Sequence, residues 1–161
     1  MNEVFEHLHM PTELAIEFFA IFSRFEYALK ATGTYAMDSG GGKAAANWDL
    51  FANHIDGSFN AIEDADFKNA VGYLLEKPPR KQIYNNGIVS FKEQKIDGKQ
   101  TKAQQTLLMI RTVRNNLFHG GKHIRGDERE PGRNEALVTS SLNVLRRCIG
   151  INEAVSSDFT M

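Results

Sequence analysis

Ile110-Arg111-Thr112-Val113-Arg114-Asn115-Asn116-Leu117-Phe118-His119-Gly120-Gly121-Lys122 is the stretch on which the fold is read. Counting back from the paired glycines, apolar residues at 107, 108, 110, 113, 117 and 118 recur mostly at gaps of three and four. That is the spacing of one face of an α-helix. Gly120 supplies the left-handed residue that closes such a helix. The segment therefore predicts a helix from about Thr101 to His119, ending on a cluster of polar groups.

Arg114 and His119 leave a continuous helix about 140° apart, since each residue turns it by roughly 100°. A helix that ends at His119 relaxes that constraint, and the long Arg114 side chain can then share a pocket with the imidazole. A fixed guanidinium, a titratable base and the amide of Asn115 are a minimal kit for cleaving RNA without metal. The His moves the proton of the 2′-hydroxyl or of the leaving oxygen, while the Arg fork stabilises charge on the phosphorane. The same spacing is equally compatible with a plain helix end, in which Arg114 pairs with an acid and His119 caps carbonyls.

Arg114-Asn115-Asn116-Leu117-Phe118-His119 resembles the R-x4-6-H motif of the HEPN superfamily, and the Gly120-Gly121-Lys122 continuation is similar to many bacterial members. The resemblance implies a small all-helical protein and a metal-independent endoribonuclease of a toxin–antitoxin, antiviral or RNA-processing system. It implies no cofactor, RNA as the ligand, and a homodimer in which two motifs face each other across one cleft. His119 would be the acid/base, Arg114 the phosphate-binding group, and Asn115 a group orienting one of them. Glu26, and after it Arg24, in the first helix would be candidates to reach that pocket, although Glu26 also stands four residues before Lys30 as a surface pair would. A separately encoded antitoxin or partner protein fits the same likeness. One branch, whose toxins are modified by nucleotidyltransferase antitoxins, carries a Tyr two residues after the motif His; Gly121 stands there in this chain, which argues against that mode. Some relatives bind nucleotides, RNA or proteins without turnover, so a non-catalytic binding module is the alternative.

The rest of the chain fits one domain. Its 161 residues are enough to bury roughly 70% of the unfolded surface. No apolar run approaches a membrane span of about 20 residues, and Glu3 and Glu6 stand where a signal peptide would carry positive charge. A single Cys148 allows no internal disulfide and agrees with the cytoplasm. The His7/His9 pair has no further ligand at helical spacing, and Gly120-Gly121 break any alignment of His119 with His123, so no metal site is expected.

Charge is unevenly divided. Residues 1–76 carry 4 Lys/Arg against 12 Asp/Glu, whereas residues 77–161 carry 15 against 8. The basic half holds the motif, and Arg111, Lys122 and Arg125 beside it are the candidate RNA-binding residues. The alternative is a solvated basic face paired with the acidic half.

Pro11 opens a first helix to about Thr32, with Leu14, Phe18, Phe22, Phe25 and Leu29 on its main face and Ala15, Phe19 and Ile21 widening it. So broad a stripe predicts cover from the core or from a second subunit. Residues 33–43 read as a loop, residues 44–55 as a helix able to extend past Gly57, and Phe67 to Leu75 as a third helix ended by Pro78-Pro79. From residue 80 to 100 either a short hairpin over Asn85-Asn86-Gly87 or an ordered loop is expected, and its Tyr84 and Phe91 could stack on an unpaired base or simply anchor the segment. Residues 122–133 read as a loop. Asn134 is the expected cap of a last helix, and residues 152–161 are expected as a flexible tail. The overall expectation is an all-α bundle of four to five helices, built on the first, motif and last of them.

Overall fold

Helix α1, Thr12–Ala31, starts after Pro11 and stops where Thr32 and then Gly33, at φ +70°, turn the chain. The computed structural model describes residues 5–119 and 130–161. After α1 come the strands β1 (Ala36–Asp38) and β2 (Ala44–Ala46), then α2 (Trp48–Asn60) and α3 (Ala65–Glu76). The hairpin of β3 (Lys81–Asn85) and β4 (Ile88–Lys92) precedes α4 (Lys102–Phe118), α5 (Arg133–Gly150) and α6 (Glu153–Thr160).

This corrects the all-α expectation. Among the described residues there are six helices and two antiparallel two-stranded sheets, a mixed architecture instead of four or five helices alone. The departure begins at Ala44-Ala45-Ala46, expected as the start of the second helix, which instead pairs with Ala36–Asp38. The Asp38 carboxylate accepts from Gly40 N (2.7 Å) and Gly42 N (3.1 Å), closing the turn that brings the two strands together. Helix α2 starts only at Trp48, because the Asn47 side chain accepts from Leu50 N at 3.1 Å and caps it there.

The second hairpin forms over Asn86 (φ +50°) and Gly87 (φ +82°), two left-handed residues that match the right-handed twist of paired strands. The motif helix α4 begins with a capping box, Thr101 accepting from Gln104 N while the Gln104 side chain accepts from Thr101 N. Two further expectations are corrected. Gly132 (φ +79°), not Asn134, occupies the N-cap of α5, and Asn134 is the second residue of the helix and buried. The supposed flexible tail is helix α6, capped by Asn152, with Val155 fully buried.

Buried side chains form one continuous cluster in which Phe18, Phe25 and Leu29 of α1 meet Phe51 and Phe59 of α2, Leu74 of α3, Ile110 of α4 and Leu145 of α5. Edge-on rings lock parts of it together: Phe25 on Phe51 at 5.4 Å and Phe59 on Phe67 at 5.0 Å. Helix α1 lies against α5 and α6, α2 against α4, and α3 against α4 and α5. Cys148 is fully buried in this cluster and burial pushes its thiol pKa up, so it acts as a small apolar side chain. No helix among the described residues is long and apolar enough to cross a membrane.

Candidate functional site

One side of α4 is spent on the core and the other is left for chemistry. Thr106, Met109, Ile110 and Val113 are buried, while Asn115, Phe118 and His119 are exposed and Arg111 and Arg114 half-exposed. Asn115 lies roughly 180° around the helix from the buried set. The exposed ridge has a neighbour on each flank. On one flank Arg114 reaches α1; on the other, Asn116 holds the start of the β3–β4 hairpin.

Arg114 is clamped. Its guanidinium carbon lies 5.3 Å from the ring centre of Phe22 and 5.3 Å from that of Phe118, cation–π contacts of about 0.5–1 kcal/mol each where partly exposed. Nη1 donates to Asn115 Oδ1 at 2.9 Å, and Nη2 lies 3.9 Å from Glu26 Oε2, an ion pair rather than a hydrogen bond. Of five N–H donors, Asn115 takes one, and the side chain is still 36% exposed. A planar fork fixed in this way suits a phosphate better than the swinging head of a lysine.

His119 is the C-cap of α4, with its N–H on Asn115 O at 2.9 Å. The helix therefore ends at Phe118, where the glycine signal placed it. The exposed imidazole stands on the ridge beside Asn115, and the hydrogen bond of Arg114 runs to Asn115, not to His119. Glu26 and Asn115 thus both join Arg114. Arg24 does not: its Nε and Nη2 donate to the carbonyls of Phe159 (2.9 Å) and Asp158 (3.2 Å), so it completes the last turn of α6. Arg111 sits lower on the ridge, 5.9 Å from the Trp48 ring centre. Lys122 and Arg125 lie outside the described residues, as does most of the loop expected at 122–133.

Sequence reasoning missed three supports. Phe22 and Phe118 read as ordinary members of an apolar stripe, yet both rings stand beside the Arg114 guanidinium. Asn116, inside the motif, is buried and donates from Nδ2 to the Arg80 carbonyl at 2.7 Å. A polar residue falling on the core side of a periodic helix was the signal that could have found it. Thr112 Oγ1 lies 3.1 Å from the Leu108 carbonyl and 3.4 Å from Gln94 Oε1 on the hairpin's second leg. Among the described residues no group of three or more His, Cys, Asp or Glu is gathered as a metal would need. No family model matches the chain, and neither a curated protein nor a solved structure matches it.

Proposed function

We propose that the protein is a HEPN-like endoribonuclease that cleaves RNA by attack of its own 2′-hydroxyl, with Arg114 and His119 as the working pair. The observation that carries the reading is Arg114, partly exposed beside Phe22 and Phe118 and hydrogen-bonded to Asn115, on a helix whose exposed C-cap is His119. In this mechanism Arg114 binds the scissile phosphate and offsets the charge that grows on the phosphorane oxygens. His119 moves the proton, from the 2′-oxygen as base or to the 5′-oxygen as acid. Asn115 and Glu26 position the guanidinium, and Arg111 extends the cationic surface along the helix. Lys122 and Arg125 are proposed as further RNA-binding residues. Bond making to the 2′-oxygen and loss of the 5′-oxygen leave a 2′,3′-cyclic phosphate, or the monoester formed when it is hydrolysed.

A second copy is proposed to complete the cleft, because Ile16 and Phe19 on α1 and Phe118 beside Arg114 are all close to half exposed. They border an apolar groove of about 190 Å³ with Phe5, Leu8 and Leu117. The alternative, a module that binds RNA or nucleotide without turnover, is favoured by one feature: Glu26 and Asn115 already occupy part of the Arg114 fork.

The test is cleavage of total cellular RNA in EDTA by the wild type beside Arg114→Ala and His119→Ala. Loss of a general acid/base costs about 10²- to 10⁴-fold, and removal of a charge-stabilising donor about 10²- to 10³-fold. Cleavage by the wild type with loss in both variants supports the nuclease. Equal cleavage by all three means a contaminant, and RNA binding without cleavage by any of them supports the module.

A further inference from the structure

The β3–β4 hairpin stands on the motif helix and is not absorbed by the site described above. The start of the hairpin is fixed to α4 by Asn116, whose Nδ2 donates to the Arg80 carbonyl at 2.7 Å. Arg80 Nε also donates to Glu93 Oε1 at 2.8 Å, joining the legs to each other. A lone two-stranded hairpin is marginal in water, so these ties keep the arm ordered. The residues nearest its turn are apolar and exposed: Tyr84 is 74% exposed, Ile88 67% and Val89 49%.

Its charge is one-sided. Between residues 80 and 95 stand Arg80, Lys81, Lys92 and Lys95 against Glu93 alone, and Glu93 is taken by Arg80. Lys81 and Lys92 are exposed and face each other directly across the strands. Like charges in that position oppose pairing, and no acid among the described residues is placed between them. A polyanion would remove that repulsion. Strand alternation puts Tyr84, its partner Val89 and the half-buried Phe91 on the face opposite the lysine pair.

We infer that this hairpin is a strand-gripping arm that selects unpaired RNA for the Arg114–His119 site: Tyr84 stacks on a base at one face of the ribbon, and Lys81 and Lys92 at the other each hold a phosphate of the same strand where it passes over the arm's edge. The identity of the nucleic acid rests on the ribonuclease reading. Stacking needs a base freed from its partner, so a duplex cannot use Tyr84, while the lysines read only the backbone.

The probe is a fluorescein-labelled 2′-O-methyl oligoadenylate, which has no free 2′-hydroxyl and stays whole, alone or annealed to its complement. Tyr84→Ala is expected to weaken single-strand binding about five- to 150-fold, the range of one base–aromatic stack, and to leave duplex binding unchanged. Tyr84→Phe keeps the ring and is expected to bind as the wild type does. Lys81→Gln with Lys92→Gln is expected to lower the slope of log affinity against log salt by about 1.4, two single-strand phosphate contacts. All these side chains are exposed, and far-UV circular dichroism checks that the fold is kept. Total-RNA cleavage that survives Tyr84→Ala together with unaltered binding overturns the arm and leaves the nuclease standing. A wild type that neither binds nor cleaves overturns both. A change in sedimentation of the protein alone on Tyr84→Ala makes the tip a protein contact and overturns the arm.

Discussion

Arg114 makes two kinds of contact, with different consequences. The rings of Phe22 and Phe118 lie beside its guanidinium carbon, while Asn115 and Glu26 meet its nitrogens. Arg114→Lys keeps the charge but has neither a plane to stack nor a fork to share. Under the nuclease reading it is expected to lower kcat about 10²-fold or more with a smaller change in KM, measured on a defined RNA oligonucleotide; a kcat within a few-fold of wild type would show that only the charge matters. At this scale the site was partly legible. Arg114, Asn115 and His119 are close in the chain and show as a string, and Glu26 was reached through a likeness. The aromatic clamp was not, because an apolar residue on a periodic stripe carries no mark of whether its ring meets a core side chain or a guanidinium.

Elements were read best where period and caps agreed. Helices α1 and α4 pair long apolar stripes with a Pro or Thr start and a glycine stop, and their ends fall within a residue or two of expectation. Strands β1 and β2 went unseen because three-residue alanine-rich strands show no two-residue alternation; they exist by virtue of the turn that Asp38 closes. Helix α6 has a single buried residue, Val155, and takes its place from tertiary contacts, including Arg24 on its last carbonyls. In the core, Phe25→Ala removes a fully buried ring in contact with Trp48 and Phe51, and chemical denaturation is expected to show a loss of about 3–5 kcal/mol.

Cap electrostatics gives an element-scale prediction with a sign. The Asp64 carboxylate accepts from Phe67 N at 2.8 Å at the start of α3, and Arg147 Nη2 lies 2.8 Å from it. The backbone hydrogen bond from Phe67, the largest influence, holds its pKa below the ordinary carboxylate value; burial, next in size, opposes it, and Arg147 adds to the lowering. A carboxyl whose folded pKa is depressed contributes stability that is fully present above its unfolded value, near 3.9, and is lost as pH falls through the lower folded one. Asp64→Asn keeps a capping oxygen and removes the charge. Its urea midpoint is therefore expected below that of wild type at pH 7 and to converge on it under acid conditions; a gap that persists at low pH would rule out the charge as its source.

Over the whole molecule the uneven charge resolves into two populations of basic residues. Arg146 pairs with Glu17, Arg147 with Asp64 and Arg114 with Glu26, so part of the basic half is matched by the acidic half, as the plainer reading of the composition had it. Among the described residues Lys81 and Lys92 on the hairpin have no such match. The apolar stripe of Ile16 and Phe19 is extended by Phe118, whose ring centre lies 5.1 Å from that of Phe19. The width of the α1 stripe was visible in sequence, but which of its sides the core would leave bare depended on where α4 and α5 came to rest. Exposed apolar patches of this kind mark contact sites, and this one touches the Arg114 clamp through Phe118. If a second copy covers it, Phe19→Asp buries an unpaired carboxylate at the contact. Sedimentation equilibrium is then expected to show the wild type at twice the chain mass and the variant at one. RNA cleavage is expected to fall with dimer content, although Arg114 and His119 are unaltered. A wild type of one chain mass with full nuclease activity would place the whole site in a single copy.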